Sequence, residues 1–210
     1  MILKAEVYEK AADEVNTEEP LHSEAAEITG HHHESTEHEE AWAPADGWQR
    51  TLSTAVSNSL MGIGFALMLT GIYSLRQPQG AVQGLAWGLA GFTVFFASPG
   101  LGLPPELPGT EAASLNDRQV WWLATASCTA LGLALLFLQK RWVVRVLALP
   151  LIVTPHLIGA PQPAIAHGVA PEELQQSFRI ATLAVNAAFW LLLGLFSAVV
   201  FQRFSREATV

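Results

Sequence analysis

The sequence predicts an all-α integral membrane protein: a bundle of five transmembrane helices preceded by a disordered arm rich in histidine and acid. Three observations carry that prediction. Half of the 210 residues are hydrophobic and only 14 % are charged, which lies outside the usual composition of a soluble domain. Thirteen of the 19 acidic residues stand within the first 46 positions, so the head of the chain is acidic and the rest is nearly free of charge. Beyond residue 50 the apolar residues gather into five runs, each near the roughly 20 residues that cross a hydrocarbon core of about 30 Å.

The arm is residues 1–50 and the membrane domain 51–210. Acids and small polar residues dominate the arm, a composition that buries too little surface to offset chain entropy. A short helix from Ile2 to Glu14 is expected at its start. Because MILKAEVYEK has no basic segment leading into an apolar core, an insertion signal is expected in the first span or upstream of Met1. The arm's centre, GHHHESTEHEE at residues 30–40, sets His31, His32, His33 and His38 among four glutamates. Imidazoles beside carboxylates make a soft, multidentate site for divalent transition metals. Such a flexible ligand set follows the Irving–Williams order and concentrates ions without choosing among them. The competing reading is a solvated acidic tail. Trp42 and Trp48 close the arm, as tryptophans do where a chain enters the headgroup region.

The expected spans are residues 52–75, 81–101, 120–138, 142–160 and 180–200. Each must be helical, since lipid cannot satisfy open backbone groups. The fourth is the least regular, because Pro150 and Pro155 remove helical hydrogen bonds. Arg76, Lys140, Arg141, Arg145, Arg203 and Arg206 flank the spans on one side, and only Arg50, Arg118 and Arg179 on the other. The positive-inside rule makes the richer side cytoplasmic. It puts the arm and the loops 98–109 and 159–177 outside, with the carboxyl terminus inside. Gly80, Gly84 and Gly88, and likewise Ala126, Ala130 and Ala134, recur every four positions and predict close helix contacts without chemistry.

Within the membrane domain, His156 stands in LPLIVTPHLIGAPQ behind a proline that frees the carbonyl of Ile152 or Leu151. An imidazole beside freed carbonyls suits an ion-coordinating break in a helix; a neutral histidine bonded to a neighbouring helix is the alternative. The loop PGLGLPPELPG is too apolar to be freely solvated and too broken for a helix, so a partly re-entrant segment is expected. Glu106, its one charge, is a candidate metal ligand together with His156, against the reading of a solvated turn glutamate. Asn58, Gln83, Thr125 and Asn186 lie in apolar runs, where interhelical hydrogen bonding is the ordinary use. Of these, Asn58 and Asn186 are candidates for an ion path. Trp121 and Trp122 read as interfacial anchors.

Several classes are excluded. A basic patch is missing, which argues against nucleic acid. The lone Cys128 rules out an intrachain disulfide and a cysteine-rich zinc site. Neither a P-loop, an HExxH motif, a nucleophile elbow nor a CxxCH haem site occurs, so no enzyme and no resident cofactor is expected. Acidic residues do not occur inside the five spans, so a carboxylate proton relay is not predicted.

Taken together, AEVYE at residues 5–9, the His/acid run ending in EAWAPADGWQR at 40–50, GLAWGLAGF at 84–92, PGLGLPPELPG, RQVWWLATA at 118–126 and PHLIGAPQP at 155–163 resemble the CbtA family of bacterial cobalt transporter subunits. The resemblance implies a multi-pass protein of the inner membrane that takes up Co²⁺ for cobalamin synthesis. It also implies a small, single-span, histidine-bearing partner, CbtB. Similar proteins carry a further membrane helix ahead of the AEVYE stretch, and Met1 falls where that helix would be ending. The reading from a different class is a non-transporting accessory or sensor that hands metal to a separate permease.

Overall fold

The computed structural model describes residues 1–18, 44–45, 47–163 and 168–207. The histidines of the arm, and Trp42 with them, lie outside the described residues. At the head of the arm the expected helix from Ile2 runs on to Glu18 (α1, Ile2–Glu18). Its Ala5 is fully buried. Glu6 makes a bidentate ion pair with Arg50, and Glu9 lies against the backbone of Gly109. The acidic head is therefore docked onto the end of the bundle where the chain enters it.

Among the described residues four helices are long and apolar enough to cross a membrane, and a shorter apolar one stands at the fourth expected span. The first is α2 (Trp48–Leu75), starting after Gly47. Next comes one continuous helix, Ala81–Gly102, built of α3 (Ala81–Phe92), a π-helical turn (Thr93–Ala97) and α4 (Ser98–Gly102). The π turn has a local cause. Pro99 carries no N–H for the carbonyl one turn back, and the ladder opens by one residue, so that the Ser98 N–H reaches the Thr93 carbonyl. Then α5 (Leu115–Leu138) starts at Ser114, whose hydroxyl accepts the Asp117 N–H as an N-cap. The shorter helix is α6 (Trp142–Val146) followed by α7 (Ala148–Ile158). Pro155 interrupts its bonding and Gly159, with φ 88°, ends it. The last is α8 (Glu172–Glu207).

These helices form two packs. In one, α8 lies against α3 most extensively and also against α2; in the other, α5 lies against α7. Lipid tails are as apolar as leucine, so helices associate through close van der Waals fit rather than water exclusion. Glycines supply that fit. A Cβ placed on Gly84 would sit 2.6 Å from the Ala198 Cβ, and one on Gly194 would lie 2.6 Å from the Gly88 Cα. Gly80, the first member of the predicted repeat, has another use: with φ 100° and open space around it, it forms the turn before α3. On α5 the expected alanine face is only partly used. Ala126 is buried and Ala130 exposed, while Gly132 meets Ile152; the face that packs contains Trp121, Thr125, Thr129 and Gly132.

The two packs meet where the long helix changes partner, for α3 lies on α8 whereas the π turn and α4 lie on α5. Aromatic rings fill this crossing. Phe95 of the π turn stacks on Trp190 of α8 at 5.4 Å with planes 2° apart, and also touches Phe65 and Trp122. At one end of the bundle the loops are laced together. Thr110 pairs with Gly168 in an isolated antiparallel bridge, and the Gln162 amide donates to the Gly102 carbonyl. At the other end the Gln202 amide donates to the Pro78 carbonyl at 2.8 Å, and there the six cations of the richer side gather around the helix ends.

Candidate functional site

Two polar groupings sit toward the laced end. The outer one is on residues 103–114, an irregular stretch that packs on the bundle, with Leu107 buried. Glu106 is half-buried and forms an ion pair with Arg118 on the first turns of α5, N to O 3.1 Å. The carboxylate is thus already matched by a cation, and an incoming metal ion must compete with the guanidinium for it.

The inner grouping is at the junction of α4, α5 and α7. His156 is on α7, one residue after Pro155, and its Nε2 lies 3.1 Å from the Ser98 Oγ. Ser98, nearly fully buried, is 2.8 Å from the Thr129 Oγ1 of α5. The Pro155 carbonyl accepts the Trp121 indole N–H at 3.2 Å and also the Gly159 N–H. The Trp121 ring meets the imidazole edge-on with centroids 5.9 Å apart. Local sequence explains the convergence. The π turn sets the register that brings Ser98 toward α5 and α7, and Gly102 lets α4 come close, since a Cβ there would be 2.8 Å from that of Ala160. Beside Thr129, Thr125 is fully buried and its hydroxyl has no hydrogen-bond partner among the described residues.

Against this geometry, a family model described as the probable cobalt transporter subunit CbtA matches residues 1–202. The chain belongs to the CbtA family. No curated protein and no solved structure matches it.

For this CbtA family member, the structure distributes the candidate residues unevenly. Glu106 and His156 are in the same half of the bundle, but each is engaged with a different partner, Arg118 and Ser98 respectively. Among the described residues no three His, Cys, Asp or Glu side chains converge. Asn186 turns back on its own helix, donating to the Thr182 carbonyl at 3.0 Å. Asn58 is exposed on α2, and Gln83, also exposed, caps the turn before α3 by accepting the Gln79 N–H. His31, His32, His33 and His38 fall outside the described residues. Trp121, expected as an interfacial anchor, is instead buried and bonded to α7. Sequence reasoning passed over Ser98 and Thr129, and used Arg118 only for orientation and not as the partner of Glu106. A serine directly before a proline inside an apolar run was the signal available for Ser98. Arg118 was legible as the nearest cation after Glu106.

Proposed function

We propose that the chain is the membrane-embedded subunit of a cobalt uptake system in the bacterial inner membrane, supplying cobalamin synthesis. The observation that carries this reading is the family match across residues 1–202, on a chain whose described residues include four membrane-length helices. In this reading the arm is extracytoplasmic and the carboxyl terminus cytoplasmic, as the Lys/Arg asymmetry argues. His31, His32, His33 and His38 gather Co²⁺ at the surface. Glu106 and His156 form a vestibule in which the ion loses part of its hydration, with Arg118 released from Glu106 as the cation arrives. Asn58 and Asn186 line the crossing. A small, single-span, CbtB-like subunit completes the assembly, and no enzymatic step is required of this chain.

The test is cobalt uptake by cells carrying the wild-type chain or the double variant Glu106→Ala, His156→Ala. Uptake at micromolar cobalt is expected to fall at least about tenfold, the usual scale for loss of metal ligands or their supports. Unchanged uptake would remove the vestibule from the mechanism.

A further inference from the structure

We propose that Thr125, together with His156 and the Ser98–Thr129 pair that holds it, forms an inner coordination station for a divalent cation in transit. The inference rests on the transport reading and names the further groups that act with His156 at the inner side of the proposed vestibule.

The starting point is the Thr125 hydroxyl, fully buried and without a hydrogen-bond partner among the described residues. Buried polar groups are nearly always bonded, and inside a membrane domain no bulk water is at hand to satisfy a stray one. An orphan in such a place points to a group that binds there. Its position says what else that group meets. Trp121, Thr125 and Thr129 are four residues apart and share one face of α5. The outer two engage Pro155 and Ser98, so Thr125 stands between them at the junction with His156. The imidazole is already half-committed: Nε2 is tied to Ser98, itself tied to Thr129, while no hydrogen bond engages Nδ1 among the described residues. A histidine that ligates a metal keeps its other ring nitrogen on a fixed partner in this way, which sets ring orientation and tautomer. With Nε2–H donating to Ser98, Nδ1 is left as a bare donor atom.

The donor set is then one imidazole nitrogen and one hydroxyl oxygen, both neutral, suited to a borderline divalent ion that keeps some of its water. The station contains no carboxylate. A transit site has to release what it binds, and a neutral pair holds a cation more loosely than Glu106 does. Ser98 and Thr129 are positioning residues, and Thr125 and His156 are the proposed ligands.

The experiment uses the purified full-length chain with His22, His31, His32, His33 and His38 replaced by alanine to silence the arm. Titration with Co²⁺ is followed by visible absorption, with thermal unfolding measured in parallel. Thr125→Val, which keeps the shape and removes the hydroxyl, is expected to raise the Co²⁺ dissociation constant about tenfold without lowering the unfolding midpoint. Thr125→Ser is expected to retain binding, and Ser98→Ala to weaken it with a changed cobalt spectrum. A dissociation constant unchanged in both Thr125→Val and Ser98→Ala overturns the station. Uptake by cells separates the two ideas: binding as expected with no cobalt uptake by the wild type sinks the transport reading alone, whereas uptake by a chain whose binding ignores Thr125 and Ser98 sinks the station alone.

Discussion

The contact between Glu6 and Arg50 shows how single residues decide the placement of the acidic arm. The Arg50 guanidinium holds the Glu6 carboxyl below its ordinary value of 4.5, opposed by partial burial and helped by Lys10. A carboxylate with a depressed folded-state value stabilises the docked helix above its unfolded value, and that contribution fades as pH falls through the folded one. Docking of α1 is therefore expected to be pH-independent above about pH 5 and to loosen below 4.5, read as faster hydrogen exchange along α1; Glu6→Gln should abolish that acid dependence. At this scale the sequence was half legible. Glu106 and His156 stand out because each is a lone ionisable group in an apolar stretch. Their partners do not, since the contact from His156 to Ser98 spans 58 residues and depends on a helical register that no local pattern announces.

At the scale of elements, apolar runs locate membrane helices well because lipid allows little else. The structure lengthens four of them beyond the expected spans, most of all α8, whose polar first and last turns leave the apolar stretch, and it ends the fourth two residues early at Ile158. Periodicity of small residues was a weaker guide: Gly84 and Gly88 are used for close approach, whereas Gly80 makes a turn and Ala130 faces outward. What periodicity cannot report is which neighbour a face meets. The α3–α8 seam gives a direct test. Gly88→Ala puts a Cβ against the Trp190 backbone and should destabilise the folded protein by about 1–3 kcal/mol. Gly64→Ala, with open space around it, should be neutral or slightly stabilising. Thermal unfolding in a mild detergent distinguishes them.

For the whole molecule, the acidic head, the arm's entry point and the laced loops all lie at one end, with Glu106 close to the surface there and the Ser98–His156 junction beneath it. That order suits collection, capture and passage in sequence. Deleting residues 30–40 is accordingly expected to cut uptake several-fold at nanomolar cobalt and to leave it intact at saturating cobalt, measured as initial rates across a concentration series. Loss of uptake at every concentration would favour an accessory that only presents metal. The two packs share one continuous helix, and the π turn at Thr93–Ala97 is where it passes from one to the other. That extra residue acts as a registry peg. The turn takes up its extra residue locally, whereas one further residue inserted beside it in α geometry would rotate everything from Ser98 to Gly102 by about 100° relative to α3. The α3–α8 seam would survive intact while Ser98 swung off His156 and Gly102 off Trp121, so a single insertion far from any charged group would disconnect the polar interior without unfolding the bundle.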